Sequence, residues 1–331
     1  MLFVFLVQFI MNYENNRVGV LLVNTGTPSE PNTKSIKKYL KQFLSDKRIV
    51  QLPRIIWLPI LYLFILPIRP TKKVKDYKKI WMEEGSPLYV YTNRLLKKLN
   101  ISKSKKANIN INIAMRYGEP NIKKKLKEFN EKKIKNLIIF PLFPQYSFAT
   151  TESIKDEINL SLKKLNFNPK ISFVKEYYNK ALYINAIANS IKRNWKQKNS
   201  KLIFSYHGLP IKYIQKGDTY YQSCMNTTKL IAKRLKLNQE KYITSFHSKF
   251  GFGEWTKPYT ERLLLELPKK GIKSIGIVSP SFSIDCLETL EEIAIQFKEN
   301  FIRAGGEEFT YIPCLNDHND HVAIIERLMT F

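Results

Sequence analysis

Strand-like runs of five to seven residues recur along the chain at 18–24, 109–115, 136–142, 170–174, 201–206, 241–246, 273–279 and 308–313. Their apolar, often β-branched make-up reads as buried or half-buried strands. Between them lie stretches with apolar positions at helical spacing, at 121–131, 181–196 and 227–235. Strand–helix alternation implies parallel sheets joined by right-handed crossovers. Eight strands in two sets of four predict an α/β fold of two similar halves. Each half is a four-stranded parallel sheet flanked by helices, with a cleft between the halves. The expected organisation is an N-terminal extension (1–17), a first α/β domain (18–178), a second (179–315) and a C-terminal helix (316–331) packing back on the first domain. The halves are alike in pattern only, because no sequence repeat accompanies them.

One stretch departs from the alternation. Within 52–70, positions 55–66 are nearly all apolar and include Trp57, Tyr62 and Phe64. Pro59 interrupts the run and Pro67 is expected to end it, which leaves it too short to span a bilayer. A buried core helix is one reading. The aromatics, the internal proline and the basic flanks (Arg54; Arg69, Lys72, Lys73) suit an interfacial segment equally. The apolar first ten residues lack a basic lead-in and are also too short to span, so Met11 is the expected start.

Length and composition fit two compact domains: 331 residues, 44% hydrophobic and 13% aromatic. The formal net charge is +27, from 55 basic and 28 acidic residues. Nucleic-acid binding would account for that excess, but no zinc-finger, RRM or helix-turn-helix pattern accompanies it. The lysines are scattered in short runs such as 123–125, amid abundant Asn and Ile, as in a solvated coat that also attracts anionic lipid. Three widely spaced cysteines, Cys224, Cys286 and Cys314, argue against a disulfide framework and fit a reducing compartment. No Cys-x-x-Cys pair offers a zinc or iron–sulfur ligand set.

The chemistry concentrates where strands stop. Leu202-Ile203-Phe204-Ser205-Tyr206 runs into His207-Gly208-Leu209-Pro210, and Lys216-Gly217-Asp218-Thr219-Tyr220 follows. Gly208 and Pro210 break the strand, so His207 sits at its carboxyl end, where open α/β sheets bind ligands. From position alone, a reactive imidazole and a structural one are equally compatible.

The whole string resembles the signature of the ferrochelatases: an apolar pair, a Ser or Thr, His-Gly-Leu-Pro and Lys-Gly-Asp-x-Tyr at this spacing. The resemblance runs from about residue 18 to the C-terminus. It implies Rossmann-like, chelatase-type halves and a porphyrin in the cleft. His207 would face the porphyrin centre, accepting pyrrole protons or ligating ferrous iron. The segment from Ser279 to Glu292 resembles the family stretch whose Glu opposes that His. Glu288 is then its partner at the metal, with Asp285 and Glu292 as an acidic track for metal delivery or proton exit. Taken alone, those acids would equally form a solvated helix face suited to the helix dipole. Many relatives carry His where this chain has Cys286, and usually Gln where it has His247. At His247 a second metal-facing group and a retained hydrogen bond are both open.

The remaining candidates also follow strands. Arg116 has the shape to pair with a substrate propionate, and Tyr117 to pack on the macrocycle edge. Thr25, Gln145, Tyr146 and Trp255 lie in segments that resemble family motifs near the porphyrin. For Tyr117 and Trp255, ordinary core packing is the alternative. The resemblance further implies that 52–70 forms a greasy lip beside the cleft.

The expected activity is insertion of ferrous iron into protoporphyrin IX to give protohaem. Iron is substrate rather than resident cofactor, and no iron–sulfur cluster is expected. A chelatase for coproporphyrin or a corrinoid precursor, and a non-catalytic porphyrin or haem carrier, are the alternatives. The expected location is cytoplasmic, with peripheral contact at the inner face of the cytoplasmic membrane.

Overall fold

The computed structural model describes residues 17–329 apart from 104–107, 197–199 and 252. The expected start at Met11 therefore lies outside the described residues. Eight strands form where the apolar runs predict them: β1 (Val18–Gly26), β2 (Ile109–Tyr117), β3 (Asn136–Pro141), β4 (Lys170–Phe173), β5 (Lys201–His207), β6 (Tyr242–His247), β7 (Ser274–Val278) and β8 (Glu308–Ile312). They build two four-stranded parallel sheets, ordered β2-β1-β3-β4 and β6-β5-β7-β8. The same order appears twice, so the halves share a topology that their sequences do not display. Inner strands covered on both faces need continuous apolar runs rather than alternation. Residues 20–23 of β1 and 202–206 of β5 are accordingly all buried.

Helices close over the sheets with local start and stop signals. Asn32 caps helix Thr33–Leu44 by accepting from the Ser35 N–H at 2.9 Å. Its buried face is Ile36, Leu40 and Leu44. Asn121 does the same for helix Ile122–Glu131. Helices Ser153–Leu165 and Tyr220–Leu235 end in left-handed residues, Asn166 and Lys236.

Each half has a buried cluster of its own, and a third cluster runs through both. Val20 and Leu22 of β1 belong to the same buried cluster as Leu202, Phe204 and Tyr206 of β5. Helix Ala181–Asn194 connects the halves and packs on helix Tyr220–Leu235. The C-terminal helix Asn319–Leu328 packs against both that connecting helix and helix Pro87–Lys103 of the first half. Lys98 pairs with Asp317 at 3.0 Å just before it.

The segment after Arg54 departs from expectation. Pro67 does not end the run: the helix continues from Arg54 to Ile80, 27 residues, long and apolar enough to cross a bilayer by length and composition. A π-turn at Leu61–Ile65 makes this possible. There the Leu66 N–H reaches back five residues to the Leu61 carbonyl, and the wider turn accommodates Pro67, which has no N–H to offer. One face is fixed to protein. Trp57, Leu61, Leu66 and Tyr77 pack with Ile36, Leu40 and Leu44, and the Trp57 indole donates to the Leu44 carbonyl at 2.7 Å.

Candidate active site

The carboxyl ends of β1, β2, β3, β5 and β7 converge on one partly open cleft. This is the position at which parallel sheets present their loops to ligands. Two glycines keep the strand ends close. At Gly26, φ is +107° and a Cβ would lie 1.8 Å from the Tyr117 carbonyl oxygen, so no other residue fits. At Gly208 a Cβ would lie 2.9 Å from the His247 carbonyl oxygen and 3.2 Å from the Trp255 ring.

His207 lines the cleft. Its Nδ1 is 2.7 Å from the Gly208 carbonyl oxygen. A carbonyl only accepts, so Nδ1 carries a proton, and in the neutral form of the ring the lone pair lies on Nε2. That lone pair is what a base or a metal ligand requires. Glu288, on the π-helix Glu288–Phe297 after β7, lines the same cleft, as does Cys286. Glu292, one turn on, accepts from the Ser248 N–H at 2.9 Å and from the Ser248 hydroxyl. Burial raises its carboxyl above the ordinary value, opposed by the Ser248 hydroxyl and by nearby His207.

His247 is buried beside His207, with ring centroids 5.9 Å apart. Its Nδ1 is 2.8 Å from the Ser205 hydroxyl. Burial, and secondarily the His207 imidazole, push its pKa well below the ordinary value, so it is neutral.

Several expected contacts fall elsewhere. Asp285 is not on the acidic track: it is buried among the Tyr311 hydroxyl, the Thr289 hydroxyl at 2.9 Å and the Asn316 amide at 2.7 Å. Those donors fix the turn into the π-helix and turn its carboxylate away from the cleft residues. Arg116 reaches the cleft wall, but its guanidinium is already paired with Asp46 at 2.7 Å, Glu157 at 3.3 Å and the Ser153 hydroxyl at 2.8 Å. The Tyr117 hydroxyl donates to the same Asp46 at 2.7 Å. Burial alone would raise the Asp46 carboxyl, yet the Ser153 hydroxyl and Arg116 outweigh it and hold the pKa below the ordinary value. Tyr146 and Trp255 are not among the cleft-lining residues. Tyr146 lies under the Lys175 ammonium, and Trp255 packs behind Gly208. Thr25 and Gln145 do line the cleft, and the Gln145 amide donates to the Thr227 hydroxyl at 3.0 Å.

Other lining residues were not singled out by the sequence. Tyr39, Phe43 and Tyr77 form an aromatic wall from the first helix and the long apolar helix. Phe282 stacks on His247 at 5.7 Å. Asp218, outside the lining, accepts from the Ser147 hydroxyl at 2.8 Å and the Phe148 N–H at 2.7 Å, which ties the second half to the π-turn Phe148–Glu152 of the first. The Lys-Gly-Asp run was the signal for it. For the aromatic wall the only signal was the apolar face of helix Thr33–Leu44.

Comparison with known proteins bears on this arrangement. The family model described as Ferrochelatase matches residues 17–330. The chain belongs to the ferrochelatase family. Relatives named ferrochelatase include those of Vibrio cholerae serotype O1, 40% identical over 317 residues (95% of this chain, 98% of the relative), and Vibrio parahaemolyticus, 43% identical over 316 residues (95% and 98%). Among solved structures, SirB from Bacillus subtilis with Fe3+ superposes with a TM-score of 0.57 at 11% identity, covering 94% of this chain and 95% of that one. That likeness supports the α/β chelatase fold alone. Membership of the family makes the chain a metal chelatase acting on a haem-type tetrapyrrole.

Proposed function

We propose that this chain is a lyase that inserts ferrous iron into protoporphyrin IX, releasing two protons, as the last step of protohaem synthesis. Insertion needs few groups: a proton acceptor, a route for the ion and a rigid apolar slot that holds the flat ring. The His207 Nε2 lone pair takes a pyrrole proton or holds the incoming ion, and Glu288 serves the same centre from the π-helix. Glu292 continues the acidic route from Glu288. The aromatic wall of Tyr39, Phe43 and Tyr77 excludes water from the macrocycle.

The observation that carries the choice of substrate is charge. Among the described cleft-lining residues Arg116 is the one Lys or Arg, and Asp46 and Glu157 already pair it. Coproporphyrin carries four carboxylates where protoporphyrin carries two, and each one taken from water without a cation is costly. The test is haem formation without oxygen on matched porphyrins. Protoporphyrin should be preferred at least tenfold in kcat/KM. A preference for coproporphyrin overturns the assignment, and tight porphyrin binding with no metal insertion makes the chain a carrier.

The reading extends to place and cofactor. A cytoplasmic protein held peripherally at the inner membrane face is favoured by the exposed side of helix Arg54–Ile80 and by the lysine coat. The reading includes no iron–sulfur cluster, and labile-sulfide analysis of protein purified without oxygen tests that.

A further inference from the structure

We propose that His207 and His247 together form a loading site for a divalent transition-metal ion, from which the ion passes into the cleft. The proposal rests on the reading that His207 serves the metal.

Three observations converge on it. First, the two histidines are register partners on adjacent parallel strands, β5 and β6, so their side chains leave the sheet on the same face. Second, Nδ1 is the hydrogen-bond donor in each ring, which in the neutral form leaves the Nε2 lone pair for an ion. For His207 the Gly208 carbonyl fixes this. For His247 a chain of hydroxyls does: Thr260 donates to Ser245 at 2.9 Å, so Ser205 must donate to Thr260 at 2.8 Å, and His247 Nδ1 must donate to Ser205. The His247 Nε2 is buried with no hydrogen-bond partner, a costly state that a bound ion would relieve. Third, His247, Ser248 and Glu292 line a second cavity, while His207 lines the main cleft. The histidine pair stands between the two.

The spacing suits shared coordination. With a metal–nitrogen distance near 2.1 Å each ring centroid lies about 3.2 Å from the ion, so two centroids are about 5.2 Å apart in a tetrahedral site and about 6.4 Å in a linear one. The observed 5.9 Å falls between. Phe282, stacked on His247, holds that ring in place. No cluster of three or more His, Cys, Asp or Glu among the described residues forms a ready-made metal centre. Two imidazoles, with water in the remaining positions, would hold iron, cobalt or zinc loosely enough to release it. An amide at position 247 would keep the Ser205 bond but not supply the second imidazole.

The test uses the full chain without porphyrin, titrated with Co2+ in the absence of oxygen and followed by ligand-field absorbance. His247→Gln should weaken Co2+ binding at least tenfold and raise the KM for ferrous iron, with porphyrin affinity and melting temperature unchanged. Unaltered Co2+ affinity in His247→Gln overturns the proposal. If His207→Ala alone then loses the ion, only the role of His247 falls; if neither variant loses it, the reading of His207 falls too. Should His247→Gln fail to fold, 15N-histidine spectra of the unmutated chain with Zn2+ decide. Both Nε2 signals should shift, and a shift of one alone overturns the pairing.

Discussion

At the scale of single residues, position on a strand end separates chemistry from packing only when the partners of each atom are known. His207 and His321 are both histidines bonded through Nδ1 to a carbonyl, at 2.7 Å and 2.6 Å. His207 opens onto the cleft, whereas His321 is fully buried. His207→Ala should therefore lower metal insertion by about a hundred-fold or more, the usual cost of losing a general base. Porphyrin affinity, read by fluorescence quenching, and melting temperature should stay near those of the unmutated chain. Near-normal turnover would remove His207 from the reaction. Arg116 teaches the converse. Its strand-end position suggested a propionate partner, but Asp46, seventy positions earlier in the chain, had already claimed it. No local pattern shows a contact of that range, and the same holds for Asp285 and its partner Asn316. Tyr146 and Trp255, which family resemblance put near the porphyrin, do not line the cleft.

At the scale of elements, the strands were legible because inner strands of a parallel sheet are buried on both faces, and nothing but an apolar run satisfies that demand. The prolines of the long apolar helix were misleading for an equally physical reason. A π-turn absorbs the missing hydrogen bond, and a turn of that kind leaves no signature in apolar periodicity. The C-terminal helix offers a test of how firmly an element is docked. His321 is one of its buried residues, and burial depresses its pKa from the ordinary 6.5 to about 4. Between those values the unfolded chain binds a proton that the folded chain refuses, so stability rises with pH there. The His321 contribution is fully present above pH 6.5 and is lost as pH falls towards 4, a change on the order of 3 kcal/mol. Denaturant unfolding of the unmutated chain minus that of His321→Gln, measured across this window, should show that slope. A flat difference would mean that His321 is protonated in the folded protein.

At the scale of the whole molecule, one helix meets both the core and the outside. Its inner residues, Trp57, Leu61 and Leu66, join the cluster that supports the aromatic wall of the cleft. On its outer side Ile55, Leu63 and Phe64 are 85%, 68% and 64% exposed, an apolar surface of the kind that marks an interaction site. Leu61, by contrast, is fully buried, so it belongs to the support and not to the lip. The two faces should therefore respond differently to the same substitution. Leu63→Ser with Phe64→Ser removes two side chains, each worth about 1.5–3 kcal/mol when fully transferred from water to an apolar phase. Binding to anionic liposomes should fall at least tenfold, and the KM for porphyrin delivered in those liposomes should rise. The melting temperature and the rate at saturating porphyrin should hardly change, because neither residue touches the core cluster or the cleft. Leu61→Ser should instead lower stability by about 2–5 kcal/mol, as deletion of a buried leucine does. If the outer pair proves as destabilising as Leu61, the outer face is structural and the chain meets its greasy substrate by another surface. The salt dependence separates the two contributions to membrane binding: the lysine coat should weaken above about 0.15 M salt, where charges are screened within about 8 Å. The Leu63 and Phe64 contribution should persist there.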